Sequence, residues 1–235
     1  MNSKEAIILA GGLGTRLKSV VKDVPKSMAN INGKPFLEYL LNYLKFYNIE
    51  HVILAVGYKS NIIREYFGNN FKNIFITYSE EKELLGTGGA IKQALEFTNS
   101  KNILILNGDT FFDIDLEKFY RFHKIKNSDL TLALKEMKDF ERYGVIEIND
   151  DYRITAFLEK KYRNKGLING GIYLLNKGFF KSLNLSKKFS FEKDFMEKYF
   201  KDFQFYGIPF SSYFIDIGIP EDYEKAKRDF KKFKY

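Results

Sequence analysis

The sequence predicts an α/β chain built on a mostly parallel sheet with helices on both faces. Two observations carry that reading. Short apolar runs of four or five residues alternate with stretches whose apolar residues fall at helical spacing, the pattern of strands buried on both faces. A glycine-rich segment, Leu9-Ala10-Gly11-Gly12-Leu13-Gly14-Thr15-Arg16-Leu17, follows the first of those runs directly, at the strand end where ligands sit in such sheets.

The elements follow in order. Ile7 to Ala10 reads as a buried strand. Pro35 opens a helix whose Leu37, Leu40, Leu41 and Leu44 share one face, proline being favoured in a first turn. Val52 to Val56 is a second strand, Ile62 to Phe67 a short helix, and Ile74 to Tyr78 a third strand. Ile91, Ala94, Leu95 and Thr98 mark the next helix, Ile103 to Leu106 a fourth strand, and Leu116, Phe119, Tyr120 and His123 another helical stripe. The pattern then changes. Leu130 to Leu134, Val145 to Ile148, Ile154 to Leu158 and Ile172 to Leu175 read as strands joined by hairpin-type turns such as Asn149-Asp150-Asp151. Helices near Phe191 to Phe200 and Glu221 to Phe230 flank a strand at Tyr213 to Ile215. No internal repeat or low-complexity linker divides the chain.

Bulk properties narrow the function. A chain of 235 residues with 45% hydrophobic and 17% aromatic content supports a full core. No apolar run reaches the roughly 20 residues that span a bilayer. The N-terminus lacks the pattern of a signal peptide, and the absence of cysteine excludes disulfides and thiolate metal sites. A cytoplasmic location is expected. The net charge of +8 comes from lysines spread along the chain, without the aromatic-basic signature of an RNA-binding module. From Lys225 to Lys234 they line the outer face of a helix whose Tyr223, Ala226 and Phe230 point inward. Such a chain attracts anionic small molecules, and neither nucleic acid nor membrane is expected as a partner.

The glycine loop can bring backbone N–H groups close to a phosphate, with Arg16 as a forked donor. It ends in Gly14-Thr15-Arg16, lacking the Gly-Lys-Ser/Thr of a Walker loop, and Leu17 stands where a dinucleotide fingerprint needs glycine. Taken alone it also fits a surface turn. Asp109, in Asn107-Gly108-Asp109-Thr110, and Asp216, in Phe214-Ile215-Asp216-Ile217-Gly218, both end strand-like runs. Each alone fits an ordinary turn; together with a phosphate loop they fit a pair of oxygen ligands for Mg²⁺. Lys26 and Lys160 are either phosphate contacts or solvated lysines. His51 and His123 read as structural, and covalent catalysis has no Ser-His pairing to support it.

The ordered set of motifs resembles the sugar-1-phosphate nucleotidyltransferases, or nucleoside-diphosphate-sugar pyrophosphorylases. The set comprises Gly-Gly-x-Gly-Thr-Arg-Leu at 11–17, Val24-Pro25-Lys26, Gly33-Lys34-Pro35, Leu85 to Ala90, Asn107-Gly108-Asp109, Tyr143 to Ile146, Glu159-Lys160, Asn169 to Tyr173 and Asp216 to Tyr223. The resemblance implies a Rossmann-like, mostly parallel mixed sheet flanked by helices, of the nucleotide-diphospho-sugar transferase type. It further implies one domain, with a nucleotide-binding half over about 1–112 and a sugar-phosphate-binding half over about 113–235. Leu9, Gly11, Gly12, Gly14, Thr15, Arg16, Glu81, Gly86, Thr87 and Gly108 would hold the nucleotide. Arg16, Lys26 and Asp109 would be catalytic, and Asp109 and Asp216 would ligate Mg²⁺. Gly144, Glu159, Lys160 and Asn169 would bind the sugar phosphate. The implied reaction is in-line attack of a sugar 1-phosphate oxygen on the α-phosphorus, releasing pyrophosphate. Ser19, Ser27 and Ile219 depart from the residues usual at those positions (Pro, Pro and Thr), and none removes a charged candidate.

Glu81 stands where uridylyl and thymidylyl relatives carry glutamine. A carboxylate only accepts, which suits the adjacent N1–H and N2–H₂ donors of guanine; the alternative is a solvated residue of the Glu80-Glu81-Lys82-Glu83 run. GTP is therefore the expected nucleotide. Within the family, the short chain and the run from Gly14 to Lys26 most resemble the D-glycero-α-D-manno-heptose 1-phosphate guanylyltransferases. Mannose-1-phosphate guanylyltransferases and glucose-1-phosphate uridylyl-, thymidylyl- and cytidylyltransferases are the alternatives. The product, GDP-heptose, would feed surface-polysaccharide synthesis, and the enzyme could form a homodimer. Two rivals from other classes stand beside this: a glycosyltransferase using Asp113-Ile114-Asp115 as a metal pair, and a non-catalytic nucleotide-sugar-binding homologue.

Overall fold

The computed structural model describes residues 4–12, 17, 24–233 and 235. The first strand, β1 (Glu5–Leu9), is buried through Ala6, Ile7 and Ile8. A small hairpin of β2 (Asn30–Ile31) and β3 (Lys34–Pro35) turns through Asn32 and Gly33, both at positive φ, as an Asn-Gly turn requires. Pro35 stands one residue ahead of α1 (Phe36–Phe46) with extended backbone, so it introduces the helix without joining it. The leucine stripe of α1 is buried as its spacing predicts.

Next come β4 (His51–Val56), α2 (Ser60–Phe67), the two-residue β5 (Asn70–Phe71) and β6 (Ile74–Glu80). These lead to α3 (Gly86–Ala94), β7 (Asn102–Asn107), the short β8 (Thr110–Phe112) and α4 (Leu116–Ile125). The second half supplies β9 (Leu130–Phe140), β10 (Val145–Ile148), β11 (Ile154–Leu158), β12 (Arg163–Asn176) and α5 (Lys177–Ser182). A π-helical turn, Phe191–Met196, runs into α6 (Glu197–Tyr199), followed by β13 (Phe205–Phe210), β14 (Phe214–Asp216) and α7 (Pro220–Asp229).

The main sheet runs β11-β10-β12-β7-β1-β4-β6-β5, with β9 beside β12 and β13 beside β9. Strands β7, β1, β4 and β6 are mutually parallel, and β12 joins β7 antiparallel. One continuous sheet therefore crosses both halves of the chain. Its two faces bury separate cores: Ala6 and Ile8 of β1 enter one, Ile7 the other, as the alternation of a strand demands.

Strands β9 and β12 extend well past their apolar runs, because their outer ends pair with each other as a two-stranded arm. The register breaks between Asn169 and Tyr173, where Gly171 takes φ of +73° and its N–H donates to Asn169 Oδ1 at 3.0 Å, a bulge of the kind that bends and twists a strand locally. Strand β13 lies outside the expected elements, since Gly207 and Pro209 interrupt its apolar pattern. It pairs in parallel with β9, and on its other side it makes a single antiparallel bridge, Tyr206 to Arg153; a strand so sparsely paired on one side tolerates proline.

Candidate active site

Two cavities meet above the carboxyl ends of the parallel strands. The first, about 480 Å³, is bordered by Leu9, Gly11, Gly12, Glu81, Gly86 and Thr87 among others; the second, about 640 Å³, by Gly144, Glu159, Lys160 and Asn169. Asn107, Asp109, Glu192 and Gly218 border both. Two substrates held one in each cavity would thus face each other across Asp109.

Local structure explains the close approach at this seam. Gly108 N donates to Leu9 O at 2.9 Å, tying the end of β7 to the end of β1. A Cβ on Gly108 would lie 2.5 Å from that same oxygen, so only glycine fits. Asp109 follows and β8 then pairs antiparallel with β14, Thr110 opposite Asp216. Ile217 N donates to Asp109 O at 3.0 Å. This two-stranded ribbon brings together two aspartates that lie far apart in the sequence.

Lys26 Nζ lies 2.5 Å from Asp109 Oδ2 and 3.4 Å from Asp216 Oδ1. Asp216 Oδ1 also accepts from Gly218 N at 2.8 Å. Burial, then the charge of Asp109, raises the Asp216 carboxyl above the ordinary aspartate range, and Lys26 offsets part of that. The spot is built to hold positive charge between two carboxylates. Gly218 leaves the room: a Cβ there would come within 2.8 Å of Asp216 Oδ1 and 3.1 Å of Lys26 Nζ.

Glu81 is half-buried on the wall of the first cavity. Its Oε2 accepts from Leu85 N at 3.1 Å, and burial raises its carboxyl. A Cβ on Gly11 would lie 3.0 Å from Glu81 Oε1, so loop and carboxylate share one wall. Gly86 has φ of +73° and opens α3 against Phe189, whose oxygen would be 2.6 Å from an added Cβ. The Thr87 hydroxyl is committed within the protein: it donates to Glu192 Oε2 at 3.0 Å and accepts from Phe191 N at 2.9 Å.

In the second cavity Gly144 packs against Leu158 O, where a Cβ would be 2.7 Å away. Asn169 holds the β12 bulge through Oδ1, and its Nδ2 donates to Tyr173 OH at 2.9 Å. Glu159 and Lys160 are exposed on the rim. Gly14, Thr15 and Arg16 lie outside the described residues.

The structure adds residues that the sequence reading did not single out. Asn107 and Glu192 border both cavities, and Arg142, Tyr143 and Lys193 border the second. Asn107 and Tyr143 sit inside motifs that carried the resemblance, so their neighbours flagged them. Glu192 and Lys193 belong to no motif used there.

Asp113-Ile114-Asp115 serves a different purpose from a metal pair. Asp115 caps α4 by accepting from Lys118 N at 2.9 Å, and Asp113 Oδ1 accepts from Tyr235 OH at 2.6 Å. Neither borders the two cavities, which removes the spacing argument for a glycosyltransferase. Among the described residues no helix is long and apolar enough to cross a membrane.

The chain is similar to known proteins along almost its whole length. The family model described as nucleotidyl transferase matches residues 5–232. A D-glycero-α-D-manno-heptose 1-phosphate guanylyltransferase of Aneurinibacillus thermoaerophilus is 54% identical over 229 residues, covering 97% of this chain and 99% of that protein. The Campylobacter jejuni enzyme of the same name is 53% identical over 219 residues, 93% of this chain and 96% of that protein. The crystal structure of HddC from Yersinia pseudotuberculosis complexed with GMP-PN superposes with a TM-score of 0.85 at 41% identity, covering 96% of this chain and 99% of that one.

Proposed function

We propose that this chain, which belongs to the nucleotidyl transferase family, transfers the guanylyl group of GTP to D-glycero-α-D-manno-heptose 1-phosphate, forming GDP-heptose and pyrophosphate. One structural observation carries the chemistry: Asp109 and Asp216 converge on Lys26 at the seam of two cavities, each large enough for one substrate. The guanine and heptose assignments draw support from relatives more than half identical to this chain across nearly its whole length.

In this reading the first cavity takes GTP. Glu81 accepts from the guanine N1–H and N2–H₂ edge through Oε1 and the remaining capacity of Oε2, beside the Gly86 backbone. Leu9, Gly11, Gly12 and Gly108 leave room for the nucleotide to approach the strand ends, and Arg16, with Gly14 and Thr15, meets the triphosphate. The second cavity takes the sugar 1-phosphate, with Gly144, Glu159 and Asn169 towards its hydroxyls and Lys160 towards its phosphate. An oxygen of that phosphate attacks the α-phosphorus. The new P–O bond forms as the bond to the β-phosphate oxygen breaks and pyrophosphate departs. The attacking oxygen is already anionic, so no general base is needed. Positioning and charge neutralisation by Lys26 do the catalysis.

The two carboxylates fit a divalent cation, Mg²⁺ in this reading, with substrate phosphate and water as its other ligands; it would supply further neutralisation of the departing pyrophosphate. Asp109 and Asp216 would hold it, and Lys26 keeps them close while bearing on the phosphates. A pyrophosphate-release assay pairing GTP, UTP, CTP and dTTP with heptose, mannose and glucose 1-phosphates tests the reading. GTP with heptose 1-phosphate should give the highest kcat/KM. A preference for a pyrimidine nucleotide would sink the Glu81 assignment, and no release with any pair would favour the non-catalytic homologue.

A further inference from the structure

The glycine-rich turn at the start of α3 is locked to the segment preceding the π-helical turn. Phe189 N donates to Leu85 O at 3.0 Å and Gly88 N returns to Phe189 O at 3.0 Å. Thr87 then bridges to Phe191 N and Glu192 Oε2. Ser190 Oγ adds a second donor to that same carboxylate oxygen at 3.3 Å. Glu192 Oε2 is therefore fixed from two sides, while Oε1 takes no donor from the described residues. This half-used carboxylate borders both cavities, on a π-helical turn, an irregularity that recurs at functional sites.

The rest of its segment lies on the second cavity. Ser190, Lys193, Met196 and Glu197 from the same segment border the second cavity, and none of them borders the first. The second cavity thus presents Glu159, Glu192 and Glu197 together with Lys160, Lys193 and Arg142. Carboxylates accept strongly from hydroxyls and cations pair with a phosphate dianion. A polyhydroxylated sugar phosphate satisfies both sets, whereas an apolar or purely anionic ligand would leave the carboxylates opposed.

We propose that Glu192 binds a ring or side-chain hydroxyl of the sugar 1-phosphate through Oε1, and that Thr87 is a positioning residue acting through Glu192. The proposal rests on the nucleotidyl-transfer reading and assigns Thr87 to the acceptor sugar through Glu192, beyond its place on the nucleotide wall.

The test is steady-state pyrophosphate release with heptose 1-phosphate and GTP varied separately, together with titration of GTP binding in the absence of sugar phosphate. Glu192→Gln should raise KM for the sugar phosphate about 10- to 100-fold, the effect of weakening a hydrogen bond to a charged group. KM for GTP and its binding alone should stay within about twofold. Thr87→Val should raise the same KM, Thr87→Ser should restore it, and Thr87→Val/Glu192→Gln should be no worse than Glu192→Gln alone. An unchanged sugar-phosphate KM in a folded, active Glu192→Gln, or a shift confined to GTP, overturns the proposal while leaving the parent reading intact. Failure of the unaltered protein to release pyrophosphate with any sugar 1-phosphate overturns both.

Discussion

Replacing Gly108 with alanine inserts one methyl group where three parts of the active site meet. The added Cβ would sit 2.5 Å from Leu9 O, 3.1 Å from Leu9 C and 3.2 Å from the Ala10 Cα. All three are backbone atoms of the strand end that leads into the glycine loop, so no side chain can swing aside. The backbone at Gly108 is not left-handed, which makes the cost purely steric. Overpacking of this kind costs about 1–3 kcal/mol. Pushing β7 away from β1 also weakens the hydrogen bond from Gly108 N to Leu9 O, worth about 1 kcal/mol. A total of roughly 2–4 kcal/mol corresponds, for a chain of this length, to a fall in Tm of about 5–15 °C. Differential scanning fluorimetry reads that directly. Turnover should fall by more than the loss of folded protein explains, because Asp109 moves with the strand end. A Tm within about 1 °C of the unaltered protein would refute the packing argument.

Three further outcomes follow from the same geometry. Asp216→Asn should lower turnover about 10²- to 10³-fold, as removal of a key electrostatic group does. Burial and Asp109 hold the Asp216 carboxyl above its usual range, so its ionised form costs stability that grows as pH rises through the folded pKa. The variant should therefore keep or raise Tm at pH 7, and an active or strongly destabilised variant would count against the assignment. His123 is buried with Nδ1 2.8 Å from Thr131 Oγ1, and burial, then the charge of Lys101, draws its pKa from 6.5 down to about 4. The neutral ring is favoured in the fold, so its contribution is complete above pH 6.5 and lost as pH falls towards 4, by roughly 3 kcal/mol. Urea unfolding at pH 7 and 5 should show His123→Leu to be less pH-sensitive than the unaltered protein; equal sensitivity would remove His123 from the account. Glu81→Gln should lower kcat/KM for GTP about 10- to 100-fold and narrow its lead over UTP, whereas unchanged nucleotide preference would place guanine recognition elsewhere.

Local pattern specified much of this molecule. The apolar runs at Ala6 to Ile8, Val52 to Val56 and Ile103 to Leu106 became adjacent parallel strands, because strands buried on both faces have no alternative to an apolar composition. The stripe through Leu37, Leu40, Leu41 and Leu44 became a buried helix face for the same reason. The lengths of β9 and β12 and the existence of β13 stayed hidden. Their residues are polar or interrupted by Gly207 and Pro209, and partner strands far along the chain hold them in place.

The sequence by itself determined the layered α/β architecture, the glycines at crowded turns and the residue types that chemistry on phosphates requires. Those are consequences of nearest-neighbour sterics and of the period of burial along one chain. Only the tertiary structure decided that Asp109 and Asp216 share Lys26, that Thr87 spends its hydroxyl on Glu192, and that Asp113 and Asp115 stand away from both cavities. Each depends on pairing between segments distant in sequence: β8 with β14, the start of α3 with the segment before the π-helical turn, and Asp113 with the C-terminal Tyr235. No local pattern encodes which distant partner a side chain meets, because that is fixed by the packing of the whole sheet.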